Sequence, residues 1–188
     1  IGFTRIVMRR SRDRLEPKQN ENLEKILASG QHLLSLIDAV LDLAKIEAGR
    51  IEIEAGETEL APVLEQCMRS IEPLVGDAVV LAGAFDGGLP RMLVDEGKLR
   101  QIVINLLSNA AKFTAQGCIE VGAREADGLV EVNVSDTGIG IAAGELERIF
   151  GEFEQAALGD GRPRGGSGLG LAIARRLARL MGGDVRAK

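Results

Sequence analysis

Residues 165–171 read Gly165-Gly166-Ser167-Gly168-Leu169-Gly170-Leu171 and run directly into the amphipathic segment 172–181. Glycine tolerates positive φ and lets a backbone approach a ligand closely. A glycine turn feeding a helix presents unpaired N–H groups at the positive end of the helix dipole, and together these cradle phosphate. Taken alone, such a turn serves equally well as a plain change of chain direction. Its meaning depends on what the rest of the chain supplies.

Earlier in the chain, Asp136-Thr137-Gly138-Ile139-Gly140-Ile141 follows directly on the alternating stretch 129–135. A carboxylate at a strand end, under a glycine turn, accepts a hydrogen bond from an exocyclic amine. Adenine carries such an amine where guanine presents a carbonyl, and an unmatched buried pair costs about 1–3 kcal/mol. The plainer alternative is an aspartate capping its own turn. Before it, residues 95–113 read as a helix with Asp95 as N-cap. Asn105 and Asn109 are four apart and share a face, with Lys112 close to it. Two carboxamides and one cation suit a triphosphate with hydrated Mg²⁺, which needs only one or two protein oxygens. Elsewhere an asparagine pair would be a surface or capping feature. Here Ile102, Val103, Ile104, Leu106 and Leu107 crowd around it, and polar groups in apolar surroundings call for hydrogen-bonding partners.

The first part of the chain is helical in pattern. Residues 1–14 form a short helix that turns basic, and Pro17 marks a new helical start. From there to residue 48, Leu23, Ile26, Gly30, Leu33, Ile37, Val40 and Ala44 alternate steps of three and four, which is a heptad seam. Leu27, Leu34 and Leu41 widen it. A lone hairpin cannot cover so wide a stripe, and each buried Leu or Ile contributes roughly 1.5–3 kcal/mol. A second copy completing a four-helix bundle is the expected cover; packing against the rest of the same chain is the alternative. His32, the one histidine, falls away from the seam near Ser35 and Ala39 and is expected to face outward. The domain boundary is placed at Gly49. Beyond it, Ile51 and Ile53 alternate with Glu52 and Glu54 as in a half-buried strand. A helix over 60–74, a strand over 79–85, an extended piece at 91–94, a hairpin of 119–125 with 129–135, a short helix over 145–150 and a last helix over 169–181 follow. Residues 184–188 look like the start of another strand.

The totals agree with a soluble globular chain of 188 residues, 45% hydrophobic and 27% charged. A net charge of −5 and the lack of Tyr and Trp argue against nucleic-acid binding. No apolar run approaches the ~20 residues of a membrane span. Cys67 and Cys118 match no metal spacing and are expected as reduced core thiols in a cytoplasmic setting.

The three site segments occur in one order, and in that order the chain resembles the sensor histidine kinases of two-component signalling. Asn105-Leu106-Leu107-Ser108-Asn109-Ala110-Ala111-Lys112-Phe113-Thr114 resembles that family's N box, residues 136–141 its G1 box, Ile149-Phe150-Gly151-Glu152-Phe153-Glu154-Gln155 its F box, and residues 166–171 its G2 box. Leu43-Ala44-Lys45-Ile46-Glu47-Ala48-Gly49 resembles the end of the second dimerisation helix. The resemblance implies a helical hairpin over 1–49, half of a dimeric four-helix bundle. Over 50–188 it implies an α/β sandwich of the Bergerat ATP-binding type, with an antiparallel-rich mixed sheet. ATP and Mg²⁺ are the implied ligands. Asn109 would hold the metal, Asn105 and Lys112 would lie near the phosphates, and Phe113 would line the pocket. Asp136 would read the adenine amine, supported by Gly138, Gly140 and Ile141. Residues 156–166 would form a lid packed by Phe150 and Phe153, and Gly166, Ser167, Gly168, Leu169 and Gly170 would meet the phosphates. Implied partners are a second copy through the hairpin, a response-regulator receiver domain and an upstream sensor domain. Hydrolytic relatives carry a glutamate where Asn105 stands; a carboxamide cannot act as a base, so ATP would be kept for an external nucleophile. The family's phosphoacceptor histidine, in a His-Glu-x-x-x-Pro box, would lie about ten residues before Ile1, roughly 15 Å up a helix. The first helix and the final strands are therefore expected to be truncated. The competing expectation is a non-catalytic docking scaffold built on the same fold.

Overall fold

The computed structural model describes residues 1–11, 15–85, 88–154 and 167–188. The chain divides into two compact units, Ile1–Ala48 and Gly49–Lys188. In the first, helices α1 (Gly2–Ser11) and α2 (Pro17–Glu47) form the hairpin. Pro17 opens α2, where its missing N–H costs nothing, and the Glu16 N–H donates to Gln19 Oε1 at 3.1 Å. Gly30 lies in the seam because α1 comes close there: an added Cβ would stand 3.1 Å from Ile1 Cγ1. Ile26, Leu33, Leu34, Ile37, Val40 and Leu41 remain exposed within this chain, and His32 is exposed as expected.

Helix α2 is also long enough, and in one stretch apolar enough, to pass a composition test for a membrane span, although it holds no uninterrupted apolar run. Asp38 and Asp42 interrupt it, and an acidic residue at a bilayer centre costs about 2.5–3.5 kcal/mol. Its apolar residues follow the heptad of a bundle rather than the all-round apolarity of a lipid-facing helix.

The second unit layers helices on one face of a small mixed sheet. Strand β1 (Gly56–Thr58) precedes α3 (Leu60–Ile71), β2 (Val79–Phe85), β3 (Met92–Val94) and α4 (Glu96–Phe113). Then come β4 (Gly117–Ala126), β5 (Leu129–Asp136) and α5 (Gly170–Leu180). Strands β2, β4 and β5 lie in that order, β2–β4 parallel and β4–β5 antiparallel, while β1 and β3 form a separate antiparallel pair. Side chains alternate across β4: Ile119, Val121 and Ala123 are buried and join Leu60, Leu64 and Cys67 of α3 and Val103 and Leu107 of α4 in one core. The α/β sandwich and mixed sheet match the expected class.

Several local expectations need correction. No strand forms at Ile51 and Ile53. They alternate in burial as expected, but the Glu54 N–H is taken by Asp95 Oδ2 at 3.1 Å, and the ladder begins only where Gly56 meets Val94. Helix α3 stops at Ile71 and continues as a 3₁₀ turn, Glu72–Leu74, because Pro73 has no N–H to give to the carbonyl four residues back. The helix expected over 145–150 is two 3₁₀ turns, Ala143–Glu145 and Arg148–Phe150; so short a segment cannot offset helix nucleation. Residues 184–188 form no ladder. Cys67 is buried, but Cys118 is exposed, since strand alternation puts it on the face opposite Ile119.

Asp95 ties these pieces together. Its Oδ1 accepts the Lys98 N–H at 3.0 Å as N-cap of α4, and its Oδ2 accepts the Glu54 N–H. Desolvation works against the charged form, yet these backbone donors outweigh it and hold the carboxyl below the usual range. Asp95→Ala is expected to cost about 1–2 kcal/mol of stability at pH 7 by urea denaturation. A lowered folded pKa means the contribution is full above the unfolded value of about 3.9 and fades as pH falls through the folded one. The gap between variant and parent therefore narrows below about pH 4; a gap constant with pH would contradict this role.

Candidate functional site

Helix α4 meets one glycine turn at each end of its second half. At its C-terminal end, the Thr114 N–H donates to Ala110 O and closes the helix. Thr114 Oγ1 then donates to Asp136 Oδ1 at 3.4 Å, and the Gly138 N–H donates to the same oxygen at 2.8 Å. Gly138 packs so closely that an added Cβ would stand 2.6 Å from Phe113 O and 2.7 Å from Asp136 Oδ1. No other residue fits there. Toward the N-terminal end, Asn105 Nδ2 donates to Gly170 O, the first residue of α5, at 3.2 Å.

Between these two junctions lie Asn109 and Lys112. Asn109 is half-buried and its carboxamide, among the described residues, makes no hydrogen bond. Lys112 has no acidic partner among them; its ammonium stands 4.6 Å from the centre of the Phe113 ring. Although much of its side chain is exposed, desolvation lowers its pKa from the usual lysine value.

The second glycine turn approaches α4 through Ser167, Gly168, Leu169 and Gly170. Ser167 Oγ accepts the Leu169 N–H at 3.1 Å, and Leu169 is fully buried. Gly168 has φ +68° and abuts residues 153–154: a Cβ would stand 2.6 Å from Phe153 C and 2.8 Å from Glu154 O. Residues 143–154 are held to α5 by charge. Arg175 donates to Glu147 at 2.9 Å and Asp184 at 3.1 Å and lies 4.6 Å over the Phe150 ring; Arg176 pairs with Glu152. A cleft of about 330 Å³ opens among these arginines, and Phe150 is the one residue given a role by the sequence that lines it.

Set against the sequence, Asn105, Phe113, Asp136, Gly138 and Gly170 are brought together along α4. Gly140 and Ile141 are exposed beyond Gly138. Phe153 is 63% exposed at φ +59° and touches Gly168 rather than a pocket. Phe150 stacks on Arg175. Gly166 and the expected lid over 156–166 lie outside the described residues. Thr114 and Arg175 received no role from the sequence. A threonine directly after a helix, before a buried strand, was the available signal for the first; nothing local marks the second. Among the described residues no cluster of His, Cys, Asp or Glu suits a metal ion. A Mg²⁺ would arrive with its phosphates and need one protein oxygen, and the unpartnered Asn109 carboxamide fits that need.

Comparison with known proteins adds the following. Residues 94–188 match the family described as histidine kinase-, DNA gyrase B-, and HSP90-like ATPase, and residues 1–49 match the His Kinase A (phospho-acceptor) domain. The chain is 40% identical over 187 residues to histidine protein kinase DivJ of Caulobacter vibrioides, covering 98% of this chain and 31% of DivJ. It is 34% identical over 192 residues to signal transduction histidine-protein kinase BarA of Escherichia coli K12, covering 98% and 21%. The crystal structure of full-length ShkA in complex with AMPPNP aligns with TM-score 0.78 at 36% identity, over 96% of this chain and 37% of ShkA. The chain thus spans about a third or less of its curated relatives' length.

Gly168→Ala is expected to lower stability by about 1–3 kcal/mol, since it combines an unfavourable φ with backbone overlap. Gly144→Ala, where an added Cβ meets nothing, is expected to change stability by less than about 0.5 kcal/mol. Thermal denaturation of both variants checks the pair, and equal losses would contradict the contact at Gly168.

Proposed function

We propose a phosphoryl-transfer function on the premise that this chain belongs to the family of histidine kinase-, DNA gyrase B- and HSP90-like ATPases, with a His Kinase A domain at residues 1–49. The chain binds Mg²⁺·ATP along α4 and presents the γ-phosphoryl to a histidine other than His32, for relay to the aspartate of a response-regulator receiver domain. The observation that carries this reading is the run of α4 between its two glycine turns. From Asn105 to Phe113 the helix rises about 12 Å, which suits a nucleoside triphosphate laid along it. Asp136 stands at one end and the first turn of α5 at the other.

Each residue then has a task. Asp136 accepts a hydrogen bond from the adenine amine. Phe113 packs near the base. Lys112 is a short-range cation for the phosphates. The N–H groups of residues 168–170 bind phosphate oxygens at the start of α5. Asn109 holds the metal, which neutralises phosphate charge. Asn105 keeps α5 against α4 and supplies no base, so water is not activated there. Catalysis is positioning plus charge stabilisation. A docking scaffold has no use for an unpartnered Asn109 and Lys112 beside a glycine turn.

The exposed seam of α2 is covered by a second copy of the hairpin, giving a homodimer. The setting is cytoplasmic, where ATP is available, and an upstream sensor domain controls the core.

Calorimetric titration tests the reading. The chain is expected to bind ATP with micromolar affinity in the presence of Mg²⁺. Asn109→Ala removes the Mg²⁺ dependence, and Asp136→Asn weakens binding about tenfold or more. Incubation with γ-labelled ATP leaves His32 unlabelled. Absence of ATP binding, or acid-labile label on His32, would overturn the proposal.

A further inference from the structure

Thr114 is buried to 3% exposure, and Thr58 is the only other buried polar residue among those described. A buried hydroxyl needs a partner, and this one has a single acceptor, Asp136 Oδ1, at 3.4 Å. That is long for an O–H···O bond, but the Gly138 N–H reaches the same oxygen at 2.8 Å. Both protein donors therefore converge on Oδ1. Among the described residues Oδ2 has no donor at all. A carboxylate held by one donor swings freely about its terminal torsion; two donors on one oxygen, from different segments, fix its plane and leave the other oxygen to accept.

The backbone of Asp136 is held separately. Ile119 pairs with it across β4 and β5, and the Thr137 N–H donates to Cys118 O at 3.1 Å. Thr137 Oγ1 accepts the Cys118 N–H at 3.0 Å. Loss of the Thr114 hydroxyl thus frees the Asp136 side chain and leaves its main chain in register.

We infer that Thr114 is a positioning residue that sets base specificity, holding Asp136 by Oδ1 so that Oδ2 accepts the exocyclic amine of adenine. The inference rests on the base-reading role proposed above for Asp136. It makes the discrimination between purines a property of two side chains, one on the strand end and one on the helix end.

The test compares Mg²⁺·ATP with the Mg²⁺ complex of purine riboside triphosphate, the same nucleotide without its 6-amino group, by titration of the whole chain. The parent is expected to prefer ATP. Thr114→Val is expected to lose about fivefold in ATP affinity with little change for the amine-free analogue. Thr114→Ser is expected to keep the parent's ratio. Should Thr114→Val fail to fold by circular dichroism, Thr114→Ala against Thr114→Ser gives the same comparison. An unchanged ratio in the hydroxyl-free variant, or equal losses for both nucleotides, would overturn the inference and leave Thr114 a packing role. Equal affinity of the parent for both nucleotides is a different result: it would remove base reading from Asp136 and this inference with it.

Discussion

The hydrogen bond from the Thr114 hydroxyl to Asp136 Oδ1, with no room for a Cβ between Gly138 and Phe113, locks a strand end to a helix end. Residues distant in sequence meet there at backbone distance. The carboxylate cannot leave without stranding the buried Thr114 hydroxyl, at a cost of about 1–3 kcal/mol. At the other end of the same helix, the Asn105 carboxamide performs the matching task by binding Gly170 O. Helix α4 is thus a rail with a fixed stop at each end. The core beneath it, built from Leu64, Leu107, Ile119 and Val121, holds the rail straight.

On the proposed reading, the groups that build the site are separate from those that act in it. Asn105, Thr114, Gly138 and Gly168 are occupied by the protein itself. Asn109 and Lys112, between them, are not. Among the described residues the Asn109 carboxamide has no hydrogen-bond partner, and the Lys112 ammonium meets only the Phe113 ring. Arg175, which binds Glu147 and Asp184 while stacking on Phe150, keeps residues 143–154 on α5 and so steadies the chain that abuts Gly168.

Much of this was legible from the residues alone. The helices of the second unit and the hairpin around residues 126–129 announce themselves by period and by caps such as Asp95. The order of the asparagine pair, the aspartate turn and the glycine turn carried the resemblance to histidine kinases, to which the family match then gave its own support. What escaped was decided by contacts that no local pattern encodes. The alternation at Ile51 and Ile53 was real, but the ladder with β3 begins only at Gly56 and the Glu54 N–H went to a side chain. Alternation did hold the signal for Cys118, which shares the outward face of β4 with Glu120 and Arg124 opposite the buried Ile119 and Val121. Phe153 looked like a pocket residue by motif, while it stands at φ +59° as a close neighbour of Gly168 in the glycine turn. Thr114 stood in plain view within the asparagine motif, yet its task depends on a carboxylate from β5.

The central claim is that one nucleotide spans both stops of the α4 rail. Amide hydrogen exchange of the chain, with and without Mg²⁺·ATP, tests it most directly. The account predicts that residues 136–141 and residues 167–171 gain protection together, with the same dependence on nucleotide concentration. Protection of one turn without the other, or at a different concentration, would contradict it.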